Sequence, residues 1–397
     1  MPGLATAHSH AFQRALRGRT QRRATTAGSF WSWRGLMYAL AETLDPDDIY
    51  HISRFAYTEL ALSGVTAIGE FHYLHHDKGG VPYSDRLLLA DAVIRAAQAA
   101  GIRMTLIRTA YMRAGFEQTL TPAQQRFFDP DVETILNDVT ALRDRYGQQP
   151  LVRIGLAVHS VRAVPKAAIV ELADYARQHH LPFHMHVAEQ GREIEECLQE
   201  YNQRPVDLLA EAGVLDEHFV AVHATHLTAS EIHQLGAANA FVCLCRTTER
   251  DLGDGLPETA SLLKAGVKLC VGVDSHASSD AFEEIRAVEL DDRSRTEARH
   301  VAATAPELLA AATKGGYESI GMGDVWSDDV VYLNAADASL AGASDDLLAD
   351  AVIFGATPRA VDEVTVAGQR IVESGRHIHY DDALAGYEAT LRKVLAR

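Results

Sequence analysis

Eight short apolar segments alternate with helix-like segments over residues 1–320, and this alternation limits the possible folds more than any other feature of the chain. Repeated strand and helix units predict a parallel sheet that is covered on both faces. Eight such units predict an α/β fold of the closed (β/α)8 TIM barrel type. The predicted strands are GLATAHSH, VTAIGEFHY, RMTLIRTAY, VRIGLAVHS, PFHMHVAE, FVAVHATH, AFVCLC and KLCVGVDSH.

The pattern changes after about residue 320, where short strands and turns replace the alternation. The segments VVYLNA, DAVIFGA and VDEVTVAGQRIVESGRHI predict a small β-subdomain over residues 321–380. The segment DDALAGYEATLRKVLAR predicts a C-terminal helix over residues 381–397. We therefore expect a small β-layer that packs beside the barrel.

Composition excludes several classes of protein. With 47% hydrophobic and 23% charged residues the chain is typical of a globular protein with a large core. The net charge of −17 argues against a nucleic-acid or anionic-membrane partner, so an anionic substrate would need local cations. Four cysteines without CxxC spacing suit reduced thiols, and no apolar stretch approaches the roughly 20 residues that cross a bilayer. These features predict a soluble cytoplasmic protein.

Polar groups collect at the ends of the predicted strands, which is where barrel active sites lie. The first strand ends in HSH, and an HxH places His8 and His10 on one face of a strand. Alone, this motif fits either ordinary polar residues or two ligands for one ion. The other strand ends favour a metal site, because they add Glu70, His72, His159, His184, His186, Glu189, His223, His226, Asp274 and His276.

The motifs HSH, HMHVAEQ and GVDSH resemble those of the amidohydrolase superfamily, whose mononuclear deaminases carry a metal on these strand ends. Metal sites that perform hydrolysis combine imidazoles or carboxylates with an open position for water. The resemblance implies that His8, His10, His186 and Asp274 hold the metal.

The same resemblance implies the catalytic groups. It implies that Glu189 is the general acid/base and that His223 orients the water. Asp274 is implied to be both a metal ligand and a proton acceptor. The family pattern HxxE selects His186 by its distance from Glu189, which leaves His184 as a neighbour on the same face.

The fourth strand end indicates how many metals to expect. Binuclear members of the superfamily bridge two metals with a carboxylated lysine at this position. LAVHSVRAVP has His159 and Arg162 there, and the next lysine, Lys166, lies beyond the end of the strand. We therefore expect one divalent metal, Zn²⁺ with Fe²⁺ as the alternative.

A narrower resemblance, to the formimidoylglutamate deiminases, covers nearly the whole chain. It rests on HSHAFQRA, FWSWRGLMY, GEFHYLHHD, AVHSVRAV, FHMHVAEQ, VHATHLT, TTERDLGDG and DSHASSD. It implies hydrolytic deamination of N-formimino-L-glutamate, a small dianionic substrate of histidine degradation. By the same resemblance Arg34 and Arg162 bind the substrate carboxylates, and Gln13, Tyr73 and His159 add hydrogen bonds.

Two departures from the family pattern leave alternatives open. Relatives carry residues before the HxH strand that build half of the small β-layer, so we expect an incomplete layer whose unpaired edges favour a homodimer. Arg246 in CLCRTTE is expected on the barrel mouth, where an added cation would alter the anion site. The alternatives are another deaminase, acting on guanine, cytosine or a related compound, and a homologue that has lost its activity.

Overall fold

A computed structural model of the chain describes residues 1–22 and 28–396. Eight parallel strands form one sheet in chain order, which confirms the predicted barrel. All eight predicted segments contain a strand. The strands are β1 (Leu4–Ser9), β2 (Val65–His72), β3 (Arg103–Ala110), β4 (Val152–Val158), β5 (Phe183–Val187), β6 (Phe219–His223), β7 (Phe241–Leu244) and β8 (Lys268–Val271).

Backbone hydrogen bonds join the first strand to the segment that follows the eighth strand. The His10 N–H donates to the Asp274 carbonyl at 2.9 Å, and the Asp274 N–H donates to the His8 carbonyl at 3.0 Å. Ser9 and Asp274 form a parallel bridge between these bonds. This contact brings the barrel edges together and places the HxH motif beside Asp274.

Helices follow the strands and cover the outside of the barrel. Their boundaries follow local chemistry: Asp45 caps one helix through the Asp48 N–H, and Gly101 ends another in the left-handed conformation. The helices up to the end of the barrel are α1 (Phe30–Thr43), α2 (Pro46–Leu62), α3 (Leu88–Ala100), α4 (Val132–Tyr146), α5 (Lys166–Gln178), α6 (Gly191–Tyr201), α7 (Pro205–Glu211), α8 (Ala229–Ala237), α9 (Arg246–Leu252), α10 (Thr259–Lys264), α11 (Ala281–Thr296), α12 (Ala305–Ala310) and α13 (Gly316–Ser319).

A small antiparallel sheet follows the barrel in the order β12-β11-β10-β9. Its strands are β9 (Val330–Leu333), β10 (Val361–Val366), β11 (Gln369–Glu373) and β12 (Arg376–His377). The outer edge of β9 is partly paired, because Met1 exchanges two backbone hydrogen bonds of 2.9 Å with Val331. The expectation of fully unpaired edges is therefore wrong at β9.

The predicted strand DAVIFGA is wrong, because this segment lies in helix α14 (Leu348–Gly355). The helix buries Val352 and Ile353 and packs against α11 and α12. Short apolar runs do not distinguish a strand from a buried helix, and here tertiary contacts decide. The predicted C-terminal helix is α15 (Tyr380–Leu395), and Arg397 lies outside the described residues.

All four cysteines are free and buried. Over residues 1–22 and 28–396, no helix has the length and apolar character needed to cross a membrane.

Candidate metal centre and active site

Four donor atoms meet inside the barrel at the carboxyl ends of β1 and β5 and just beyond β8. The Nε2 atom of His8 lies 3.2 Å from Nε2 of His10 and 3.1 Å from Nε2 of His186. Oδ1 of Asp274 lies 3.6 Å from the His8 nitrogen and 3.4 Å from the His10 nitrogen. The structure thus brings together all four residues that the resemblance names as metal ligands.

Backbone carbonyls fix which ring nitrogens carry protons. Nδ1 of His10 contacts the Phe71 carbonyl at 3.0 Å, and Nδ1 of His186 contacts the His159 carbonyl at 3.0 Å. Because a carbonyl can only accept, both Nδ1 atoms must be protonated donors. The lone pairs of the two neutral rings are therefore on Nε2, and both point at Nε2 of His8. Carbonyl contacts of this kind orient imidazoles that bind metals.

The electrostatics of this cluster fit a divalent cation. Burial lowers the pKa of His8 to about 3 and also lowers the pKa values of His10 and His186, so all three rings are neutral. Burial alone would raise the pKa of Asp274, but the neighbouring His8, His10 and His223 together outweigh burial and hold the pKa well below its usual range. Lone pairs that lie this close repel one another unless a cation lies between them. Three imidazoles and one carboxylate suit Zn²⁺ or Fe²⁺.

The backbone at these strand ends is bent to aim the side chains inward. His223 and Asp274 adopt left-handed backbone angles, with φ of +70° and +51°. Such angles cost about 1–3 kcal/mol in residues other than glycine and concentrate at functional sites. Gly272 leaves room for the ligands, because a Cβ atom there would lie 2.8 Å from the His8 Cβ.

Glu189 and His223 lie beside the donor cluster. Nε2 of His223 is 3.8 Å from Oε1 of Glu189 and 3.8 Å from Oδ2 of Asp274. Burial raises the pKa of Glu189 to about 7, so this carboxyl can hold or release a proton near neutral pH. Burial would lower the pKa of His223, but the Glu189 carboxylate and the other acids around it raise that pKa to about 10.

Two arginines line the cavity that contains the donor cluster. Arg34 donates to the hydroxyls of Tyr38 at 2.8 Å and Tyr111 at 3.2 Å. Arg162 is buried, and its Nε atom has no hydrogen-bond partner. Both guanidinium groups lie against the Trp31 ring, 5.5 and 5.7 Å from its centre. Neither forms an ion pair within the described part of the chain, so both can receive an anion.

The remaining predicted substrate contacts form one wall of the same cavity. The Gln13 amide nitrogen donates to the Tyr73 hydroxyl at 2.9 Å, and the Gln13 carbonyl oxygen is buried without a partner. The ring of His159 lies 5.6 Å from that of Tyr73 and 4.9 Å from that of His186. All five predicted substrate-binding residues therefore surround one space together with the donor cluster.

Three other strand-end histidines are directed away from the donor cluster. His72 alternates with the inward-facing Phe71 and lies 5.5 Å from the His75 ring. His184 contacts the Ser319 carbonyl at 2.8 Å, one layer deeper in the barrel. His276 contacts the Ser9 hydroxyl at 2.8 Å.

The expected position of Arg246 on the barrel mouth is wrong. Its side chain is only 1% exposed and forms an ion pair with Glu249. A second ion pair joins it to Asp291 at 2.7 Å. These carboxylates draw the guanidinium into the protein behind the site, so it does not add a free cation to the cavity.

Sequence reasoning assigned no role to several residues around the site. Tyr38 and Tyr111 hold Arg34, and Glu249 contacts the back of the His223 ring. Tyr38 lies four residues after Arg34 on helix α1, a spacing that brings two side chains together on one helix face. Tyr111 and Glu249 come from other segments, so no local spacing connects them to their partners.

Comparisons with known proteins agree with this architecture. Residues 1–327 match the model of the amidohydrolase family. A formimidoylglutamate deiminase from Pseudomonas aeruginosa is 35% identical over 100% of this chain and 89% of its own length. An 8-oxoguanine deaminase from the same organism is 30% identical over 94% of this chain and 82% of its own length. An amidohydrolase from Brucella melitensis superposes with a TM-score of 0.93 at 33% identity, covering 99% of this chain and 89% of that one. With its barrel, its strand-end donor set and these matches, the chain belongs to the amidohydrolase family.

Proposed function

We propose that the protein hydrolyses N-formimino-L-glutamate to N-formyl-L-glutamate and ammonia with one divalent cation, Zn²⁺ rather than Fe²⁺. The observation that carries this proposal is that one cavity contains a metal-donor cluster and two arginines that form no ion pair with the described residues. The proposed substrate has the matching polarity, with two carboxylates at one end and a formimino group at the other. The similarity to a formimidoylglutamate deiminase supports the same choice.

The proposed anion contacts follow from the chemistry of arginine. A guanidinium group can donate two parallel hydrogen bonds to one carboxylate, which fixes both its position and its orientation. Arg34 and Arg162 are held by aromatic groups instead of acids, so binding a carboxylate breaks no existing ion pair. Gln13 retains a buried free acceptor that can receive an N–H from the substrate. These contacts would direct the formimino group toward Glu189.

His8, His10, His186 and Asp274 would hold the cation, which supplies Lewis acidity and a water that ionises near neutral pH. His223 and Asp274 face this position; His223 would orient the water and Asp274 would accept its proton. Glu189 would give a proton to the imino nitrogen as the water oxygen bonds to the formimino carbon. The proton taken up by Asp274 would then pass to the amine nitrogen, the carbon–nitrogen bond would break with loss of ammonia, and Glu189 would take back the hydroxyl proton as the formyl group forms. One water is consumed for each formyl product and ammonia.

A substrate panel tests this proposal against the alternative deaminases. We expect ammonia release from formiminoglutamate to exceed that from 8-oxoguanine, guanine and cytosine in kcat/KM. Preference for a nucleobase would overturn the assignment of substrate. If no compound is turned over by metal-loaded, folded protein, the chain is an inactive homologue.

Replacing either arginine is expected to affect the dianionic substrate selectively. Losing a charge-assisted hydrogen bond costs roughly 1.5–3 kcal/mol, which is about 10-fold to 150-fold in kcat/KM. We expect this loss for formiminoglutamate in Arg34→Met and in Arg162→Met. A carboxylate-free formamidine is a poor substrate throughout, and its kcat/KM should hardly change. Equal losses for both substrates would show that the arginines support the fold instead of binding carboxylates.

A further inference from the structure

We propose that Glu249 and Arg246 form a positioning pair that holds the His223 ring in the orientation needed for the reaction. This inference rests on the proposed function, because it concerns the residue that would orient the attacking water. It also assigns a purpose to the buried arginine that was expected on the barrel mouth.

The contacts run from His223 outward through three side chains. Nδ1 of His223 lies 3.2 Å from Oε1 of Glu249. The second Glu249 oxygen, Oε2, accepts a hydrogen bond from Arg246. The Nε atom of Arg246 donates to Oδ2 of Asp291 at 2.8 Å. Each charged group in this series of contacts therefore meets a group of opposite charge.

The Glu249 carboxylate fixes a proton on Nδ1 of His223, the ring nitrogen that faces away from the cavity. Its Oε1 atom accepts from the Cys245 backbone N–H at 2.9 Å as well as facing the ring, so its position is held from two directions. An ionised carboxylate can only accept, which requires a proton on Nδ1 of His223. The opposite nitrogen, Nε2, is then the atom presented to Glu189 and Asp274.

Arg246 keeps Glu249 in the ionised form that this contact requires. Glu249 is 0% exposed, and burial alone would raise its pKa, but the bonds with His223 and Arg246 hold the pKa below its usual value. Both residues lie on the short helix α9, three positions apart, so local helical geometry brings them together. The pair is therefore built into one element directly behind the ring.

His223 needs such a support because its backbone is strained. Its φ of +70° is unfavourable for a residue with a side chain, and Ala224 after it also has a positive φ, of +51°. A strained residue keeps one conformation only where the surroundings fix it. Glu249 does not line the cavity, so it acts through His223 and is a positioning residue.

The substitution Glu249→Gln tests this proposal, because it keeps the shape and one acceptor oxygen but removes the charge. We expect kcat to fall about 10- to 100-fold, as for other partners that orient site histidines. KM and metal content should stay within about twofold. Glu284→Gln is the matched control, since Glu284 is also buried and bonded to Thr247 on α9 but does not touch His223. It should leave kcat unchanged within the same limit.

A double variant separates positioning from support of the fold. In a His223→Asn background, Glu249→Gln should cause no further loss beyond about twofold, because its effect passes through the missing ring. An equal loss of kcat with and without His223 would overturn the proposal.

A spectroscopic measurement is independent of substrate identity. In metal-loaded protein with ¹⁵N-labelled histidine, His223 should carry a proton on Nδ1 that shifts in Glu249→Gln and not in Glu284→Gln. An unprotonated Nδ1 on His223 would overturn the proposal even if formiminoglutamate is the substrate. A protonated, Glu249-dependent Nδ1 in protein that fails to deaminate formiminoglutamate would overturn only the proposed function.

Discussion

Glu189→Gln is expected to lose about 10²- to 10⁴-fold in kcat while it keeps the fold and the metal, because an amide cannot cycle a proton. The side chain is 7% exposed, faces His223 across 3.8 Å and has a pKa near 7 because of burial. These properties suit a group that gives a proton to the imino nitrogen and then assists its departure. Steady-state ammonia release, with metal content measured on the same samples, checks the expectation.

Glu193→Gln is the matched control for this variant. Glu193 lies four residues further along the chain and is also buried, but its Oε1 atom accepts the Ala188 backbone N–H at 2.9 Å. A glutamine can keep that bond, so turnover should stay close to that of the unchanged protein. Near-normal turnover in Glu189→Gln would remove Glu189 from the mechanism.

The double variant of His186→Ala and Asp274→Ala is expected to lose the metal and with it the catalysed reaction. It removes one of three imidazoles and the only carboxylate of the donor set. Lewis-acid catalysis contributes several kcal/mol, so activity should fall by more than about 10³-fold. Metal analysis after dialysis, together with ammonia release, measures both effects.

His184→Gln is the matched control, because His184 belongs to the same HMH motif. Its ring contacts the Ser319 carbonyl instead of the cluster, and a glutamine amide can replace that donor. We expect this variant to keep its metal. Full metal retention in the His186 and Asp274 double variant would contradict the assigned ligand set.

Sequence patterns identified residues that the structure brings together, but they did not identify the contacts between those residues. Strand periodicity placed His8 and His10 on one face, and their Nε2 atoms are 3.2 Å apart. Periodicity could not separate His184 from His186, since both point into the barrel; the family pattern selected His186. The structure shows the physical difference, which is depth along the strand: His186 reaches the donor cluster and His184 reaches Ser319.

The errors came from contacts between segments distant in sequence. Arg246 was expected on the barrel mouth because nothing near it in sequence shows that Asp291, on another helix, would draw it inward. DAVIFGA has the composition of a strand, yet packing against two helices makes it helical. The contact between Glu249 and His223 joins a helix to a strand end 26 residues earlier, so no local spacing reveals it.

Stepwise addition of Zn²⁺ to metal-free protein, with ammonia release from formiminoglutamate measured at each step, tests the central claim most directly. The claim is that one cation at His8, His10, His186 and Asp274 supports deamination of this substrate. Activity should rise in proportion to added Zn²⁺ and reach a plateau at one equivalent per chain, with N-formyl-L-glutamate as the other product. A plateau at two equivalents, or folded protein that binds Zn²⁺ and releases no ammonia, would contradict it.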